Sequence, residues 1–187
     1  MFTARALLIA ALALASVAAT AEEGEPEAGA RLSGTTIITG NLERSVAFYT
    51  DVLDFETTRV RPLEAEASRA VYGLPEGREA RYTTLLPKGF DRDNPQRSSL
   101  NLLELKDWRR QQIGRGARSK PHRKPALGEI VLAFSVPDVA AIAERAAIFR
   151  APIVTPLARS ASGRSMTLTL LDPNGVRVHL YSYQGTE

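Results

Sequence analysis

The strongest constraint on this chain's fold is a pattern that runs through it twice. An extended run at about 33 to 39, SGTTIIT, leads into a helical run from Leu42 to Leu53. There Leu42, Val46, Tyr49 and Leu53 mark one face, and Asn41 is placed to cap the start. Strand-like segments follow at about 55 to 60, 79 to 86 and 99 to 106. Then the order returns: a strand at 129 to 136, EIVLAFSV, a helix over about 139 to 148 with Asp138 as its cap, and strands at about 152 to 158, 164 to 171 and 176 to 183. Each copy of β-α-β-β-β leaves an apolar sheet face that needs a partner, so the repeat predicts an α+β fold of two tandem βαβββ modules.

What lies outside the repeat bounds the rest. The chain opens MFTARALLIAALALASVAATAEE, with Arg5, an apolar run from Ala6 to Ala19, and the small-residue pattern Ala19-Thr20-Ala21. That is the layout of a secretory signal peptide over residues 1 to 21, too short for a comfortable membrane span. The mature chain is then expected to be exported, to the periplasm, with no integral membrane span. Residues 22 to 31, acidic and turn-rich, predict a mobile leader before a single domain at 32 to 186. Within it, module one covers about 32 to 106, a connector about 107 to 127, and module two about 128 to 183.

Composition removes several chemistries. There is no cysteine, which excludes thiol nucleophiles, Cys-ligated zinc and disulfides. The net charge of +3 is unevenly spread, and residues 107 to 125 hold seven Lys or Arg. That stretch lacks interleaved aromatics beyond Trp108, so it reads as a solvated connector and predicts no nucleic-acid partner. GRGARSK, within it, lacks the strand, spacing and ending of a phosphate loop, and no nucleophile elbow is present.

Three segments carry a family resemblance. NLERSVAFYTDVLDFE at 41 to 56 resembles the first-helix signature of the vicinal oxygen chelate superfamily, the glyoxalase, bleomycin-resistance and extradiol-dioxygenase group. SVPDVAAIAERA at 135 to 146 is similar to its second-module counterpart, and LDPNGVRVHLYSY at 171 to 183 to its closing strand. The resemblance implies that the modules form an open, cup-shaped mixed β-sheet with helices outside. It also implies that metal ligands rise from the concave face, from the first and last strands of each module, to hold an ion acting as a Lewis acid.

Carried over residue by residue, the ligand set is incomplete. The first-strand positions fall on Gly34 and Val131, which offer no ligating side chain. The last-strand positions fall on Glu104 and His179, with Leu103 and Leu105 expected on the helix side and His179 sharing its face with Arg177, Tyr181 and Tyr183. Two ligands hold a labile ion weakly. The expected cofactor is therefore none, the alternative being iron, manganese, zinc or nickel at Glu104 and His179, with Glu129 or His122 completing a displaced site. Glu104 and His179 are also the catalytic candidates, since a carboxylate and an imidazole in one cleft can move a proton. Arg177, Tyr181 and Glu129 are the substrate-binding candidates, and Arg81 and Arg164 lie on predicted inner strands. Phe48 and Tyr49 read as core.

Two functions lead at this level, with an interaction protein whose basic connector docks on an anionic surface as a third. One is an exported binder of a small organic molecule in the cup; the other is a lyase, isomerase or dioxygenase using a noncanonical metal or the Glu104/His179 pair. Strict glyoxalase I chemistry lacks its ligand set here. Monomer and homodimer are both compatible with the sequence.

Overall fold

The structure, a computed structural model, describes residues 32, 34–74, 76–89, 99–106 and 128–183. Module one runs β1 (Gly34–Thr39), α1 (Leu42–Ala47), a π-helical stretch (Phe48–Val52), β2 (Phe55–Thr57), β3 (Arg61–Pro62), α2 (Glu66–Val71), β4 (Ala80–Pro87) and β5 (Ser99–Leu105). Module two runs β6 (Val131–Ser135), α3 (Val139–Phe149), β7 (Ile153–Arg159), β8 (Ser165–Leu171) and β9 (Arg177–Tyr183). The fold is α+β, with two open mixed sheets. One is ordered β1-β5-β4-β2, with β3 also on β4, and the other β6-β9-β8-β7. In each, the first strand runs parallel to the last and the remaining pairs are antiparallel.

Local chemistry explains the elements. Asn41 is extended and its Oδ1 accepts from Arg44 N–H at 2.9 Å, starting α1; Asp138 does the same for α3, accepting from Ala140 and Ala141. The stretch after Ala47 is a π turn, and Phe48, Tyr49 and Val52 all lie in the core. The second strand is shorter than expected, and residues 61 to 78, unassigned from sequence, supply β3 and α2. The first strand of module two begins at Val131, so Glu129 and Ile130 precede it.

The modules share one core within one compact unit. Ile37, Leu85, Leu100 and Leu102 from the first sheet join Leu168, Leu170, Val178 and Leu180 from the second around Leu42, Phe48, Tyr49, Val52, Val139, Ile142 and Ala146 of the helices. Phe48 meets Phe149 edge to face at 5.6 Å, and Phe55 meets Phe134 at 5.4 Å. On the opposite face of the first sheet a smaller cluster joins Leu63, Ala80, Leu103 and Leu105, with Tyr72, Leu74 and Tyr82 against it. This inverts the expected facing of β5: Leu100 and Leu102, not Leu103 and Leu105, face the helices, and Glu104 goes with them. Among the described residues no helix is long and apolar enough to cross a membrane.

Candidate functional site

Each sheet has one face on the shared core and one turned away from it; the second carries the polar residues of interest. On module one this face is partly covered by the β3 and α2 segment, making a half-open cavity of about 310 Å³ lined by Thr36, Leu63, Val71, Tyr72, Tyr82, Asn101 and Leu103. Thr84 Oγ1 donates to Asn101 Oδ1 at 2.8 Å, and Thr36 Oγ1 lies 3.3 Å from the Tyr72 hydroxyl. Beyond Leu63 a larger cavity of about 660 Å³ is lined mostly by charged side chains. Several of these are already paired, Lys106 to Glu79 at 2.7 Å and Arg81 to Glu104 and Glu43, so it has the character of a solvated cleft.

Module two repeats the geometry in register. Thr169 stands opposite His179, with Oγ1 3.0 Å from Nδ1, as Thr84 stands opposite Asn101. In the parallel pairs His179 faces Ala133 and Asn101 faces Thr36, while Val131 faces Arg177 and Gly34 faces Ser99. The module-one counterpart of His179 is therefore Asn101. His179 stacks on Tyr181 at 6.2 Å, and Tyr181 meets Tyr183 edge to face at 5.5 Å. Arg177 Nε donates to Glu129 Oε1 at 2.8 Å, a pair almost fully buried at the base of this face. Arg177, His179 and Tyr181 thus share a face as the alternation requires.

Glu104 is elsewhere. Its Oε1 accepts the Leu42 N–H at 3.0 Å, at the start of α1, and its Oε2 accepts from Arg81 Nε, whose Nη2 reaches Glu43 at 2.6 Å. Burial pushes the Glu104 carboxyl up, but the bonds from Arg81 and Leu42 and the charges of Arg81 and Lys106 outweigh it and hold the pKa below the ordinary value. Neither a hydrogen bond nor an ion pair joins Glu104 to His179. The expected placement of both in one cleft is corrected: Glu104 secures a helix start on the core side. Arg81 follows it there, and Arg164 lies exposed in the β7–β8 turn. Trp108, His122 and the connector lie outside the described residues.

The first-strand position of module one is sterically closed. A Cβ at Gly34 would stand 2.8 Å from Ser99 Oγ and 3.1 Å from the Ser99 carbonyl oxygen, so even a methyl group forces a shift. Gly34→Ala is expected to lower stability by about 1–2 kcal/mol in urea denaturation. Ser99→Ala in the same chain should recover only part, because the carbonyl stays in place.

Sequence reasoning missed Thr36, Tyr72, Tyr82, Thr84, Asn101 and Thr169. One signal was available: Asn101-Leu102 on β5 and His179-Leu180 on β9 both put a polar residue just before a core leucine.

Comparison with known proteins agrees with this architecture. No curated protein is similar enough in sequence to match. Among solved structures, a glyoxalase family protein from Bacillus cereus superposes with a TM-score of 0.65 at 15% identity, covering 83% of this chain and 95% of its own. The trypanothione-dependent glyoxalase I of Leishmania major gives 0.51 at 21% identity, covering 82% and 87%. A genomically encoded fosfomycin resistance protein from Listeria monocytogenes gives 0.51 at 15%, covering 85% and 96%. At these identities the likeness is one of fold. The sequence model of the Glyoxalase/Bleomycin resistance protein/Dioxygenase superfamily, however, matches residues 31–180, and the chain belongs to that superfamily.

Proposed function

We propose that this chain is an exported, metal-independent member of its superfamily that binds a small organic molecule on the cup side of its modules. The observation that carries this reading is the cavity of about 310 Å³ over Asn101, at the lower end of the size range of small-molecule sites.

The residues at the family's ligand positions do not fit a divalent ion. Gly34 has no room for a side chain, Val131 has no donor atom, and Glu104 is turned to the core side, leaving His179 alone. Among the described residues no three His, Asp or Glu gather in a group that could hold a metal. The polar groups that remain on the cup side are the hydrogen-bonding pairs Thr84–Asn101 and Thr169–His179 and the Arg177–Glu129 ion pair, suited to orienting a ligand.

A second reading, acid–base catalysis, rests on His179 alone. Thr169 fixes Nδ1 and Tyr181 braces the ring, which leaves Nε2 as the atom for proton transfer.

The test is purification of the exported chain without chelator, re-equilibration with iron, manganese, zinc and nickel, and elemental analysis beside His179→Ala. Substoichiometric metal in every sample is expected, with N-terminal sequencing of the exported protein starting at Glu22. Near-stoichiometric metal that His179→Ala abolishes would overturn the metal-independent reading.

A further inference from the structure

The donor and acceptor pattern of the module-one cavity narrows its ligand. Its lining of Thr36, Leu63, Val71, Tyr72, Tyr82, Asn101 and Leu103 contains no carboxylate, ammonium, guanidinium or imidazole. An ionised ligand entering it would lose water with no opposite charge to replace it, which is strongly unfavourable.

Of the polar atoms that remain, hydroxyls both give and accept, and one group is a donor only, the side-chain NH₂ of Asn101. Thr84 Oγ1 gives its proton to Asn101 Oδ1 at 2.8 Å, which uses one lone pair of that oxygen and fixes the amide with the two N–H groups of its Nδ2 end open. Nδ2 has no hydrogen-bond partner among the described residues. It lies 3.5 Å from where a Cβ at position 34 would stand, so glycine there leaves it uncovered. In the Thr36–Tyr72 pair one hydroxyl donates to the other at 3.3 Å, and the pair retains one further O–H to give away. Around these donors Leu63, Leu103, Tyr72 and Tyr82 form an apolar wall.

We propose that this cavity takes a small uncharged carbonyl compound, a ketone, aldehyde, lactone or amide on an aryl or short alkyl body, its oxygen accepting from Asn101 Nδ2 and the Thr36–Tyr72 pair. This rests on the reading of the chain as a metal-independent small-molecule binder. A carbonyl oxygen brings two lone pairs and no proton, matching a site that offers donors. An alcohol of the same shape must also turn its proton to a hydroxyl oxygen of Thr36, Tyr72 or Tyr82, in competition with the Thr36–Tyr72 bond, and a carboxylate brings a charge.

Four probes of nearly one shape test it: acetophenone, 1-phenylethanol, ethylbenzene and benzoate, titrated into the purified chain with EDTA present. Binding is followed by NMR through the Asn101 side-chain amide and the Thr36 and Tyr72 resonances. Acetophenone is expected to bind roughly tenfold tighter than the alcohol or the hydrocarbon, with benzoate weakest. Asn101→Asp, which keeps the shape and the bond from Thr84 but replaces the NH₂ by an acceptor, should abolish that preference, and Asn101→Leu, which removes the donors without adding a charge, should do the same in a chain whose circular dichroism shows it folded. Ethylbenzene or 1-phenylethanol binding as tightly as acetophenone, benzoate binding best, or an Asn101→Asp chain that keeps the preference would each overturn the carbonyl assignment while leaving a binder. If no probe shifts these resonances, the small-molecule reading of this cavity falls with it.

Discussion

Asp172→Ala is expected to cost about 3–5 kcal/mol, the largest loss of any single polar substitution considered for this chain. Asp172 is 3% exposed, in the Asp172-Pro173-Asn174-Gly175 turn before β9. Its Oδ1 accepts the Asn174 and Val176 N–H groups, both at 2.8 Å. Its Oδ2 accepts the Tyr49 hydroxyl at 3.1 Å and Asn174 Nδ2 at 3.2 Å. Alanine would leave two turn amides and the hydroxyl of a fully buried tyrosine without partners. It would also open the link between modules, because Tyr49 belongs to module one and Asn174 Nδ2 reaches Ser45 there at 3.1 Å. Tyr49→Phe removes only one end of one bond and should cost about 1 kcal/mol.

The pH dependence of the same residue has a definite sign. Burial raises the Asp172 carboxyl above its ordinary value, and the bonds from Val176, Asn174 and Tyr49 offset this only in part. The folded state therefore holds this proton more tightly than the unfolded one. Its contribution to stability falls as pH rises from the unfolded carboxylate's value through the raised folded value. Urea denaturation of wild type, Asp172→Ala and Tyr49→Phe from pH 3 to 7 measures both effects. A loss under 1 kcal/mol for Asp172→Ala at neutral pH would rule out this link between the modules as a source of stability.

The fold was legible because repetition and capping are local signals. Asn41 and Asp138 cap the helices the periodicity marks, and all four strands of module two fall close to their expected places. The alternation of β9 also puts Arg177, His179 and Tyr181 on one face, because Val178 and Leu180 leave no competing register. β5 was ambiguous for a physical reason. SLNLLEL is covered on both faces, by the shared core on one side and by Leu63, Tyr72 and Tyr82 on the other. Its leucines therefore fit either alternation, and a one-residue choice sends every side chain to the opposite face. The cover comes from Leu63 before α2, Tyr72 and Leu74 after it, and Tyr82 on β4, and α2 itself, a six-residue helix without a side-chain cap, leaves no periodic trace in sequence.

Glu104 turns that ambiguity into a measurable difference. Were it a cup residue, Glu104→Ala would impair ligand or metal binding and leave stability nearly unchanged. As a core-side residue joining α1, β4 and β5, its loss is expected to cost about 2–3 kcal/mol and to leave cavity binding intact. The figure lies below that for a fully buried pair because Arg81 keeps part of its surface in water, its side chain being 31% exposed. Glu104→Gln, which retains an acceptor for the Leu42 N–H but not the charge facing Arg81, should cost about half as much. Here the sign of pH dependence is opposite to that of Asp172. The folded Glu104 pKa is depressed, so its contribution is full above the unfolded glutamate value and is lost as pH falls through the folded value. Subtracting the stability curve of Glu104→Gln from that of wild type isolates this acid-side loss. A difference that stays flat below pH 5 would mean that Glu104 is not held by Arg81 and the α1 start. The cup-side assignment of Asn101 would then need to be re-examined with it, because both follow from one choice of register on β5.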